Sequence, residues 1–158
     1  MNELEQLYFN SKRDLNDRKQ IHQENNKPLE TSQNEATEQK FVIDGKLDGL
    51  NAYTKANRSN MYAGAKMKKD NETVVAYYIR KHKVKKVVGY PISLKITWVE
   101  PDRRRDLDNI SFATKFILDA LVKKGIIPND NQKYVTAIEH HVKVDKERPR
   151  VEVTIIES

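Results

Sequence analysis

Residues 91–124 read PISLKITWVEPDRRRDLDNISFATKFILDALVKK. The first part alternates, with Ile92, Leu94, Ile96 and Trp98 apolar and Ser93, Lys95 and Thr97 polar. That two-residue period is the mark of a strand with one buried face. The later part changes to a helical period. With Asp108 at zero and a turn of about 100° per residue, Ile110, Ala113, Ile117, Ala120 and Leu121 fall between about 120° and 220° and form a core face. Phe112, Lys115 and Asp119 share the side of Asp108. The pattern predicts a strand, a basic turn, and one helix from Leu107 to Lys124 stopped by Gly125.

Upstream, FVIDGKL from Phe41 reads as a short strand ending in turn residues, and a second helix is expected from about Asn60 to His82, with Gly64 its weak point. Downstream, after the loop IIPNDNQ, YVTAIEHHVKV and RVEVTIIE flank the turn DKERP and look like a hairpin. The order β-α-β-α-β-β predicts a compact single α+β domain over residues 41–158, with a mixed sheet and two main helices. Residues 1–40 contain 11 Asn+Gln and few large apolar side chains, so they read as a polar, flexible leader. Leu4, Leu7, Tyr8 and Leu15 could line one side of a short docking helix there.

The chain has 158 residues, enough for one domain with a real core. It has no cysteine, which excludes disulfide frameworks, thiolate zinc sites and cysteine nucleophiles. The sequence shows neither an apolar run long enough to span a membrane nor the basic-then-apolar order of a secretory signal, so a cytoplasmic protein is expected. The net charge of +6 averages two unlike parts: residues 1–40 hold 6 Lys+Arg and 8 Asp+Glu, or −2, and residues 41–158 hold 23 and 15, or +8. A basic domain attracts polyanions, of which nucleic acid is the commonest in a cell. Arg103, Arg104, Arg105, the run Lys66, Lys68 and Lys69, and the run from Lys81 to Lys86 are the candidate phosphate contacts.

Within this basic domain Asp106 and Asp108 open the helix, and Asp130 follows it in a polar loop. Two readings of the pair stand side by side. Carboxylates at a helix start cap it and meet its positive end; equally, two or three carboxylates with substrate phosphate suffice to hold Mg²⁺, a hard cation that keeps several waters, for phosphodiester hydrolysis. Lys115 has a similar choice. Its ammonium can reach back toward the acids or pair with Asp119 at i+4.

The segments RRRDLDN, KFILDAL and GIIPNDNQ resemble the RusA family of Holliday-junction resolvases, over roughly Phe41 to Ser158. Asp106, Asp108 and Asn109 match the family's Asp-x-Asp-Asn, Lys115 precedes Asp119-Ala120-Leu121 as its lysine does, and Asp130 with Gln132 matches its acid-x-Gln. Two departures stand out. Phe112 occupies the position three residues after Asn where the family carries lysine, and the usual double Asp is Asn129-Asp130. The resemblance implies a homodimeric endonuclease that resolves four-way DNA junctions by paired nicks in recombination and repair. In that reading Asp106, Asp108 and Asp130 hold Mg²⁺, with Mn²⁺ a substitute, and Lys115 is catalytic. The alternative is a non-catalytic nucleic-acid-binding module of the same fold.

His140 and His141 point to opposite faces of a strand and cannot share one metal. Tyr53, Tyr62, Tyr77, Tyr78 and Tyr90 read as core and interface rather than a base-stacking platform, and Asn51 and Arg58 lie where they could touch DNA.

Overall fold

The computed structural model describes Gln6 and residues 37–158. The leader as far as residue 36, Gln6 apart, and with it Leu4, Leu7, Tyr8 and Leu15, lies outside the described residues. The described elements are β1 (Glu38–Asp44), α1 (Leu50–Ser59), α2 (Met61–Lys81), β2 (Ile92–Glu100), α3 (Leu107–Ser111), α4 (Thr114–Lys123), β3 (Val135–Val144) and β4 (Arg150–Glu157). They form an α+β domain with a mixed sheet in the order β1-β4-β2-β3. Among the described residues no helix is long and apolar enough to cross a membrane.

Apolar alternation decides which strands are central. In β4 the alternate residues Val151, Val153 and Ile155 are buried, as are Leu94, Ile96 and Trp98 of β2. These face Val75 and Ile79 of α2 and Phe116, Ile117 and Leu121 of α4, all buried. Each such side chain contributes about 1.5–3 kcal/mol through loss of water contact. The opposite face is not covered by any described element and carries Lys40, Lys95 and Lys143 alongside Glu38, Glu139 and Glu152 around a shallow groove.

The expected hairpin is not formed. β4 inserts between β1 and β2, antiparallel to both, and β3 pairs parallel with β2 from Ile92↔Val135 to Glu100↔Val144. Burial explains the difference: β4 has a full apolar face and takes the centre, whereas Ile138, Val142 and Val144 of β3 stay 38%, 44% and 48% exposed, as an edge strand allows. A parallel pair requires a crossover, which α3 and α4 supply.

Three further differences have local causes. β1 starts at Glu38, within the stretch assigned to the leader, because Glu38, Gln39 and Lys40 complete the ladder with Ile156, Ile155 and Thr154. The helix expected over 107–124 breaks at Phe112 and Ala113, where Ala113, Lys115 and Phe116 donate to carbonyls three residues back. This tighter winding advances the helical phase and buries Phe116, which the single-helix wheel did not place on the core face. Helix α1, absent from the sequence reading, packs on α2. There Gly64 is buried, and a Cβ on it would meet Asn57 Oδ1 at 1.7 Å, so the two helices approach as closely as they do only over glycine. The expected second helix matches α2, with Asn60 Oδ1 accepting from the Tyr62 N–H at 2.7 Å as its cap.

Trp98 and His140 join β2 to β3. The indole Nε1–H donates to His140 Nδ1 at 3.1 Å and the rings stack at 6.0 Å. Burial, then the charge of His141, pushes the His140 imidazole below its ordinary value of 6.5. The unfolded chain therefore takes up this proton at higher pH than the folded one, so the stability held above about pH 6.5 is lost as pH falls below it. Thermal unfolding followed between about pH 7.5 and 5 should show a steeper acid-side fall for the wild type than for His140→Gln. Equal slopes would remove His140 from the balance.

Candidate active site

The buried ion pair at the end of β2 sets the acidic motif in place. Glu100 has a side chain only 5% exposed, and Arg105 grips it with Nε at 3.0 Å from Oε2 and Nη2 at 2.5 Å from Oε1. The guanidinium Nη1 also donates to the Leu47 carbonyl at 2.9 Å. One side chain thus ties the end of β2, the loop after β1 and the start of α3 together, using the planar fork that only arginine offers. Arg105, expected to contact phosphate, is instead committed to the fold.

Asp106 and Asp108 follow directly. Asp106 has extended N-cap geometry, yet its carboxylate makes no capping hydrogen bond. Asp108 lies in the first turn, and both carboxylates are exposed. Among the described residues no ion pair engages either one. Asn109 turns the other way: its Oδ1 accepts the Asn51 N–H at 2.9 Å, capping α1, whose own N-cap residue Gly49 has no side chain to do so. A Cβ on Gly49 would lie 2.5 Å from Asn109 Oδ1 and 2.7 Å from its carbonyl oxygen, so only glycine fits. Beside it, buried Asn71 accepts from the Asp48 N–H at 3.0 Å and donates to Asp48 Oδ2 at 2.8 Å. Sequence reasoning missed this Gly49–Asn51–Asn71 frame; its only trace was polar residues bracketing an unrecognised helix.

Asp130 is not in this place. It is exposed in the loop before β3, where Asn131 O accepts from Tyr134 N–H at 2.9 Å and Tyr134 O from Ile92 N–H at 2.8 Å, at the start of β2. Asp106 and Asp108 follow the end of that strand. Nine residues of β2 separate the two ends, about 30 Å of extended chain. Among the described residues no three His, Asp or Glu side chains gather to hold a metal ion. Among the described residues, one copy of the chain thus sets Asp106 and Asp108 near each other and Asp130 at the opposite end of β2.

Lys115 places its Nζ 3.5 Å from Asp119 Oδ2, and Lys68 reaches the same oxygen at 3.2 Å and Glu72 Oε1 at 3.6 Å. Lys123 also pairs with Glu72. The hydrogen bond to Asp119 holds the Lys68 ammonium above its ordinary range. Lys66 pairs with Asp70 at 2.7 Å, a hydrogen bond that raises it likewise. Arg104 meets Asp102 at 3.5 Å, and Arg103, Arg104 and Lys69 are exposed. Of the candidates in the two runs 66–69 and 103–105, Arg103, Lys69 and, beside Asp102, Arg104 project outward, whereas Lys66, Lys68 and Arg105 are paired with acids closer than that contact.

The family model for the endodeoxyribonuclease RusA matches residues 48–156. The chain belongs to this family of Holliday-junction-resolving endonucleases, and it is an endonuclease. A comparison with curated proteins finds none that matches.

Removing Arg105 leaves Glu100 buried and unpaired. Arg105→Ala should lower stability by about 3–5 kcal/mol in denaturant titrations, whereas Arg104→Ala should change it by less than about 0.5 kcal/mol. Gly49→Ala, forced against a carbonyl, should cost about 1–3 kcal/mol in the same measurement. A neutral Arg105→Ala would mean that the clamp does not hold this end of the sheet.

Proposed function

We propose that the protein is a Mg²⁺-dependent nuclease, with Mn²⁺ as substitute, that nicks four-way DNA junctions as a homodimer in recombination and repair, using Asp106, Asp108, Asp130 and Lys115. The observation that supports this best is the idle pair of carboxylates. Asp106 occupies a capping position without capping, and a buried ion pair fixes the backbone on which both acids stand. Two acids held near a phosphate-binding surface cost affinity for a polyanion, and a pure DNA binder would gain nothing from them. When bound, the ion supplies a Lewis acid and a water of lowered pKa.

The chain's own residues account for the rest. Arg103, Arg104 and Lys69 are the phosphate contacts in this reading, exposed and on the basic part of the domain. Lys115 neutralises charge on the cleaved phosphate. Its tie to Asp119 is half-exposed and weak, and Asp119 retains Lys68 when it lets go.

Asp106→Asn and Asp108→Asn should each abolish metal-dependent cleavage of a synthetic four-way junction while metal-free binding holds or tightens, because repulsion from phosphate is relieved. Stability should shift by less than about 1 kcal/mol, since Asn serves as well as Asp at a helix start. Lys115→Ala should lower cleavage without moving the melting temperature. Full Mg²⁺-dependent cleavage by Asp108→Asn would sink the assignment. Metal-free junction binding should also weaken steeply from low to physiological salt and weaken further in Arg103→Ala and Arg104→Ala.

A further inference from the structure

The corner between α1 and α2 stands in water. Residues 57–62 are all exposed, and the corner ends in Met61 and Tyr62, 81% and 74% exposed. Single apolar residues on a surface need no explanation, but two large ones side by side on a bare corner mark a contact. The corner is also stiff. Asn60 alone joins the helices; its Oδ1 accepts the Tyr62 N–H at 2.7 Å, its N–H donates to the Ala56 carbonyl at 3.3 Å, and the Ser59 hydroxyl donates to that same carbonyl at 2.8 Å.

The helical hairpin behind this corner is rooted beside the acids. Asn109, next to Asp108, accepts the Asn51 N–H at the start of α1, and the Tyr53 ring lies 5.1 Å from that of Phe112 and 6.4 Å from that of Phe116. With ten residues in α1, its far end stands about 15 Å from this root. The hairpin carries charge of one sign. Residues 49–69 hold Lys55, Arg58, Lys66, Lys68 and Lys69 and no Asp or Glu. Lys66 and Lys68 pair with Asp70, Glu72 and Asp119, whereas Lys55, Arg58 and Lys69 are exposed and, among the described residues, in no ion pair. The other lysine run is used differently. Gln39 accepts from the Lys85 N–H at 2.7 Å and donates to its carbonyl at 2.9 Å, and His82 meets the Val42 carbonyl at 3.1 Å, so the segment after α2 covers the edge of β1.

We propose that this hairpin is a wedge for branched DNA, in which Lys55, Arg58 and Lys69 hold the phosphates of one arm and Met61 and Tyr62 rest against the base pairs at the crossover. Charge complementarity selects the occupant: a row of cations free of acids suits a polyanion, and base faces are the apolar surface that a polyanion of this kind offers. Phosphate contacts position a protein on any duplex and carry no information about branching. An apolar tip does carry it. Entering a continuous duplex requires a base step to be unstacked first, whereas pairs at an open crossover already lack a stacked neighbour on one side, so the tip stacks there without that cost.

The wedge rests on the junction-nuclease reading, and its test keeps the two apart. The full chain is bound without metal to a four-way junction with 5-iodouracil at the crossover, irradiated, and the crosslinked peptide identified by mass spectrometry; affinity for the junction is compared with that for a linear duplex of the same length. The crosslink should fall on Met61 or Tyr62, and a label in the middle of an arm should not reach them. In the Met61→Ala/Tyr62→Ala protein the preference for junction over duplex should fall about fivefold or more, the loss of at least one base stack, at unchanged duplex affinity and melting temperature. Tyr62→Phe, which keeps the ring, should match the wild type. Lys55→Ala and Arg58→Ala should weaken junction and duplex alike and lower the salt dependence. Crosslinks confined to other residues, or a tip variant with wild-type preference, would overturn the wedge and leave the corner to some other partner, while cleavage by the same protein keeps the nuclease reading standing. A tip variant that loses junction and duplex equally would also overturn it. If the wild type binds the junction and cuts nothing, the nuclease reading falls and the crosslink alone decides the wedge; if it binds no junction, both fall.

Discussion

The Arg105–Glu100 fork is the contact on which the geometry of the acidic motif depends. It is buried, bidentate and extended by a third bond to the Leu47 carbonyl, so three segments far apart in sequence meet at one guanidinium. A lysine there would satisfy one oxygen and leave the others dry. Because Arg105 adjoins Asp106, the clamp fixes the backbone that aims both carboxylates outward, and the acids need no hydrogen bonds of their own to be oriented. Asn109 continues the logic by turning inward to cap α1. Arg105 and Asn109 at the two ends of the motif turn to protein while Asp106 and Asp108 between them face water, so the motif is at once a pair of chemical groups and a structural joint.

Much of this was legible in the sequence and some was not. The alternation of Ile92 to Trp98 has the period that one-sided burial imposes on a strand, a second helix was expected from about Asn60 to His82, and both elements form where expected. The core face of Ile110, Ala113, Ile117, Ala120 and Leu121 is buried throughout, although the helix breaks in its middle. What failed was pairing. Val135–Val144 and Arg150–Glu157 are neighbours in sequence, and a short polar turn joins them, yet sheet order is settled by which strand has the fuller apolar face, and β4 displaces β3 from the centre. Arg105 was unreadable for a related reason: three consecutive arginines look alike until a buried glutamate selects one. Helix α1 escaped notice because it has no buried residue of its own and depends on Gly49, Asn109 and α2 for its place.

The same failure of pairing displaces Asp130. A hairpin reading says nothing about where the loop before β3 lies, whereas the parallel ladder with β2 fixes it at the far end of the sheet. The family match is ordered along the chain, and order along a chain carries no distance. Asp106, Asp108 and Asp130 are thus neighbours in a motif and strangers within the domain.

The covered edge at β1 also bears on how large an assembly of this chain can grow. A sheet with two bare edges adds subunits without end, as fibres do. Here the Gln39 amide and His82 bind backbone groups of Lys85 and Val42 on one side, so among the described residues the outer edge of β3 is the one strand edge left bare. A pairing of two copies through a single bare edge would be isologous and would close at two. The short basic segment after α2 then acts as a stopper, a guard against polymerisation carried by a stretch that, read alone, looked only like a row of lysines.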